Sequence, residues 1–179
     1  MSELVDSVVA AVREAGAALR GGGVPTEVLA AYVAPRRKLL IPRAATMRPL
    51  GEVWRVGTLL IGADPEASPA LLIAGKTTRA AVRPHPGNQS VSREQRRDLA
   101  AAALHGGYTE GTTVNFDAQL VALDEPALLA LPAELPLGVV AGELRVRWRA
   151  GAPLEGAQTL ASYLAERVEL LVHPPQGAN

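Results

Sequence analysis

The chain has 179 residues, 48% of them apolar, so it can bury a substantial core and is not generally disordered. Its 18 basic and 18 acidic residues give a formal net charge of zero, which argues against a general nucleic-acid binder. Without cysteine it has no disulfides, thiolate catalysis, zinc–cysteine sites or iron–sulfur clusters.

Residues 3–20 have the spacing of an amphipathic helix, with Leu4, Val8, Val12, Ala15 and Leu19 in one stripe. Ser2 is placed to cap it and Gly21-Gly22-Gly23 to stop it. A second short helix is expected over 26–33, between Pro25 and Pro35. Pro35, Pro42 and Pro49 then interrupt a basic stretch, 35–50, that reads as a linker and carries Arg36, Arg37, Lys38, Arg43 and Arg48.

Residues 52–61 are apolar and β-branched and predict a strand, with Gly57 as a bulge. A short buried strand over 70–74 follows a turn, pairs antiparallel with the first and extends toward Arg83. Ser92 and Gln95 are spaced as a capping box for a helix that Gly106-Gly107 ends. Residues 112–123 alternate as one strand. Val114, Phe116, Ala118, Leu120 and Ala122 face one way, and Thr113, Asn115, Asp117 and Gln119 the other. A short helix is expected over 125–131. A strand over 143–149 places Leu144, Val146 and Trp148 inward and Arg145, Arg147 and Arg149 outward. The final helix, 154–171, has a three-four apolar seam suited to packing on the domain or on a twin subunit.

These elements imply an α+β protein with one largely antiparallel or mixed sheet of five or six strands and helices packed on one face. They are taken as one domain over 1–179: N-terminal helices to 34, the linker 35–50, sheet and packing helices 51–171, and a tail 172–179. The N-terminal stretch, with Glu3 and Asp6 ahead of its apolar residues and no cleavage site after them, does not read as a secretory signal, and no apolar run approaches the roughly 20 residues of a membrane helix. A cytoplasmic location is expected, with no membrane and no nucleic-acid partner.

Residues 70–77, ALLIAGKT, match the loose spacing of a phosphate loop. The central Leu71, Leu72, Ile73 and Ala74 are strand-forming, and no helix N-terminus follows, so the match is coincidental. The histidines, His85, His105 and His173, are not spaced as metal ligands, and no cofactor or metal is expected. Charge is more informative. Residues 36–97 hold twelve basic and four acidic residues, and residues 98–144 hold seven acidic and none basic. Two polar sets stand out. Arg79 and Arg83 are joined by the strand-borne Arg145, Arg147 and Arg149 as candidates for a fork-like phosphate or carboxylate site. Thr113, Asn115 and Asp117 form the second, because Asn and Asp are disfavoured in strands.

The order strand, strand, loop, helix, glycine, strand resembles Nudix hydrolases. Arg93-Glu94 is followed here by Arg96-Arg97, cations where that family has magnesium-binding acids. WRVG at 54–57, TTRA at 77–80 and TVNFDA at 113–118 also resemble a small group of high-GC bacterial proteins, some of which carry the label glutaminase. That resemblance implies amide hydrolysis. Neither lysine has a serine three residues before it, so the serine–lysine dyad of penicillin-binding-type glutaminases is absent.

The leading expectation is a binding module for a small anion, with Arg79, Arg83, Thr113, Asn115 and Asp117 as ligand-binding residues. The first alternative is an amide hydrolase of unidentified mechanism, with Asp117 polarising water or a hydroxyl. The second is a structural homo-oligomer assembled through the 154–171 helix.

Overall fold

The computed structural model describes residues 2–38, 41–83, 90–149 and 151–175. His85 lies outside them. The chain order is α1 (Glu3–Gly21), β1 (Glu27–Val33), β2 (Arg36–Lys38), β3 (Ile41–Arg43), β4 (Thr46–Val56), β5 (Leu59–Gly62), β6 (Leu71–Ile73) and β7 (Lys76–Arg79). It continues with α2 (Val91–His105), β8 (Thr113–Phe116), β9 (Gln119–Leu120), α3 (Glu125–Leu129), β10 (Leu137–Val140), β11 (Glu143–Val146), β12 (Gln158–Thr159) and α4 (Leu160–Val172). The architecture is α+β. There are a seven-stranded mixed sheet in the order β7-β8-β1-β4-β5-β6-β9, a three-stranded sheet β10-β11-β12 and a two-stranded ribbon β2-β3. The β1–β8 pair is parallel and every other described pairing is antiparallel.

The chain divides into two compact units: 1–26, 54–73 and 119–179 form the first, and 27–53 and 74–118 the second. Each has its own core. In the first, α1 buries Leu4, Val8, Val12 and Leu19 among residues that include Leu59, Ile61, Leu71, Leu164 and Val168. Ser2 caps α1, its Oγ accepting from the Val5 amide at 3.4 Å. The seam expected of the last helix packs on α1 within the chain. The Tyr163 hydroxyl accepts from the amide of Thr58 at 3.1 Å and so ties α4 to the β4–β5 turn. In the second unit, Ala102 and Ala103 of α2 pack on Ala30, Met47, Val114 and Phe116. These small side chains let the helix approach the sheet closely, and a Cβ on Gly106 would fall on the Met47 carbonyl.

Several expectations are corrected. The helix over 26–33 is strand β1, because Val28, Ala30 and Tyr32 alternate with Leu29, Ala31 and Val33 and gain partners on both sides. The linker 35–50 contains β2, β3 and the start of β4; Pro35 lies between β1 and β2, Pro42 falls in the small ribbon and Pro49 at a register shift opposite Leu29 and Ala30. Gly57 is a turn residue at φ 64°, not a bulge. Helix α2 begins after Ser90, and no capping-box bond forms there. The hairpin of β10 and β11 turns through Ala141 and Gly142, both at positive φ, a backbone pattern that a non-glycine residue conceals. The last helix starts at Leu160, with Thr159 as its cap, after β12.

Candidate functional site

The long alternation over 112–123 breaks at Asp117, whose φ is 54°. Strand β8 therefore stops at Phe116 and a separate β9 begins at Gln119. The break inverts the expected faces: Val121 is buried and Leu120 is 64% exposed. Asp117 leaves the strand face and pairs with Lys76, Oδ2 to Nζ 2.9 Å, with both groups substantially exposed.

The remaining predicted residues divide between two sides of the second unit. Arg79 lies opposite Thr113, and Thr77 opposite Asn115, so all four share one sheet face. Val114 and Phe116 point to the other face, where α2 packs. Arg79 is exposed and has no charged partner among the described residues. Asn115 is 0% exposed. Its Nδ2 donates to Glu27 Oε2 at 2.7 Å and to the Val28 carbonyl at 3.2 Å, so it serves the β1–β8 junction. Asn115→Ala should cost about 2 kcal/mol, because a half-buried carboxylate and a carbonyl lose a donor. Arg79→Ala should stay within about 0.5 kcal/mol. Equal losses in thermal unfolding would refute this division of roles.

Arg83 is on the α2 side. Its Nη2 lies 3.1 Å from Glu94 and its Nη1 3.1 Å from Asp98. Glu94 also holds Arg97 at 3.2 Å, so the acid that matches the Nudix order is occupied by two arginines. Arg83 and Asp98 line a half-open groove of about 560 Å³ with Tyr32, Val82, Ala101, Leu104 and His105. Pro35, Ala44 and Ala45 form the rest of its wall. His105 Nδ1 is 3.2 Å from the Ala45 carbonyl. A carbonyl only accepts, so Nδ1 carries hydrogen and Nε2 is the ring's remaining polar position. His105 is the last residue of α2, so this contact joins the end of the helix to the segment entering β4. Nothing in the sequence pattern had linked Tyr32, Asp98 and His105, because the groove requires β1 where a helix was expected.

No family model, curated protein or solved structure matches this chain. Function therefore rests on the geometry. Among the described residues, no three acidic or histidine side chains gather as a metal site. The GKT segment at 75–77 enters strand β7 rather than a helix, so it presents no helix N-terminus to a phosphate.

The strand-borne arginines of the first polar set, Arg145, Arg147 and Arg149, are structural as well. Arg147 is buried and Trp148 is 76% exposed, the reverse of the expected alternation, because β11 ends at Val146. Arg145 donates to the Ala157 carbonyl at 2.8 Å and pairs with Glu143 at 2.6 Å. Arg149 stacks on the Trp148 ring at 4.5 Å. These three residues hold the segment after β11 and do not form an anion fork.

Proposed function

We propose that the second unit is a binding module for a small ligand with an apolar body and a carboxylate or phosphate group, seated in the α2 groove. The observation that carries this reading is the convergence of Tyr32, Arg83 and His105 on an apolar-walled concavity. Val82, Ala101 and Leu104 suit a hydrocarbon or ring. Arg83 supplies the anchor. Its two ion pairs engage two of five guanidinium N–H groups, and its Asp98 partner is half exposed and can yield to a ligand anion. Rim residues Pro35 and Ala44 adjoin Arg36 and Arg43, which lie opposite each other across the ribbon. Their charge favours an anion at this mouth.

The test is a thermal-shift and calorimetric screen with phenyl phosphate, benzoate, short-chain carboxylates and inorganic phosphate. A ligand at 100 times its dissociation constant should stabilise the fold by about 2.7 kcal/mol. Arg83→Gln should weaken it about tenfold or more, the value of a lost charge-assisted hydrogen bond. Ala101→Leu, which fills the groove without altering charge, should abolish the shift. No shift with any compound, or wild-type affinity in both variants, would overturn the proposal.

A further inference from the structure

Whole-chain neutrality conceals a division of charge. The second unit holds eleven basic and six acidic residues, a formal charge of +5; the first holds seven and twelve, a charge of −5. Because each unit is assembled from separated stretches, the overall count says little about either surface. Arg36, Arg37, Arg43, Arg48, Arg79 and Arg93 of the second unit are all exposed in the whole chain, and none has an acidic partner among the described residues.

The ribbon β2-β3 concentrates this charge. Arg36 pairs across it with Arg43, two like charges directly opposite, an arrangement that costs stability. A ribbon of two three-residue strands is already marginal. A polyanion running along it removes the repulsion. Arg48 follows on β4 five residues after Arg43 and continues the basic run. Guanidinium groups on both strands match phosphate oxygens in a forked geometry, and a two-stranded ribbon has the width to enter a major groove.

From this we infer that the second unit binds the phosphate backbone of a nucleic-acid duplex through the β2-β3 ribbon and Arg48. A duplex is favoured over a single strand because the described residues of the unit present no row of open rings for base stacking. Phe116 is buried, Tyr32 packs against it at a centroid distance of 6.3 Å, and Tyr108 is partly buried. The contacts are to backbone, so sequence preference is low. This inference rests on the ribbon and Arg48 rather than on the groove interior, whose mouth Arg36 and Arg43 also adjoin, and it revises the exclusion drawn from net charge.

The experiment is fluorescence anisotropy of the whole protein with a labelled duplex of roughly 20 base pairs, in which four phosphate contacts give a log–log salt slope of about −3 to −4. Affinity should fall about a hundredfold between roughly 50 and 200 mM salt. The double variant Arg36→Gln/Arg43→Gln removes the like-charge pair, so it should fold as well as the parent. It should lose at least about tenfold in affinity and flatten the slope by about 2. Ala101→Leu should leave duplex binding unchanged, which separates this surface from the groove. The inference is overturned by no binding at low salt, or by binding that the double variant leaves intact. It is equally overturned if the protein binds phosphatidylserine vesicles, or a second copy of itself through its acidic unit, without binding duplex.

Discussion

Exchanging Arg147 for methionine is expected to destabilise the protein by about 3–5 kcal/mol, since three carbonyls lose their donor at roughly 1–3 kcal/mol each. Arg147 is 8% exposed. Its Nε donates to the Ala152 carbonyl at 2.9 Å, and its Nη1 to the carbonyls of Leu135 and Leu137 at 2.7 Å each. One guanidinium thus joins the segment before β10, β10 itself and the loop leading to α4. Methionine fills much of the volume but leaves three carbonyls without that donor. The fit is tight, since a Cβ on Gly138 would come within 2.9 Å of Arg147 Nη2 and 2.6 Å of Leu154 Cδ1. Arg147→Lys should recover only part of the loss, because an ammonium cannot reproduce the planar fork. Urea unfolding with an unchanged slope against denaturant measures the effect. A loss below about 1 kcal/mol would show that the carbonyls find other donors.

Gly75→Ala should cost on the order of 3 kcal/mol, among the larger effects of overpacking. A Cβ there would fall on the carbonyl oxygen of Phe116 and the carbonyl group of Asp117. These are backbone atoms at the end of β8, held by the Lys76–Phe116 register, so they can retreat only by opening the β7–β8 pairing. Lys76→Ala is the control: it removes the exposed Lys76–Asp117 pair and should cost no more than about 1 kcal/mol. The alanine variant should also exchange amide hydrogens faster in β7 and β8. Comparable losses in the two variants, with exchange unchanged, would refute the steric account. Gly75 is the glycine of the apparent phosphate-loop spacing, and its role is to let two strands approach.

The first helix, its Ser2 cap and its glycine stop were legible in sequence because a 3.6-residue apolar period and capping chemistry act within a few residues. The β5–β6 hairpin, the Gly106 stop of α2 and the α+β class were legible for the same reason. The segment 26–50 was not. Its alanines and prolines carry weak or misleading local preferences, and β1 exists because β4 and β8 supply its hydrogen-bond partners. The candidate site failed at the same level. Strand alternation correctly grouped Thr113 with Asn115, and cross-strand pairing brought Arg79 opposite Thr113. It could not foresee that Asp117 turns to positive φ, that Arg83 crosses to α2, or that Arg147 is drawn inward by three carbonyls. Composition and local periodicity settle which segments can become helix or strand. Which side chain is buried, which charges meet and which of two units each charge belongs to depend on partners 10 to 105 residues away. The physical reason is that unpaired backbone groups and unpartnered buried charges are expensive, so long-range pairing overrides weak local preference.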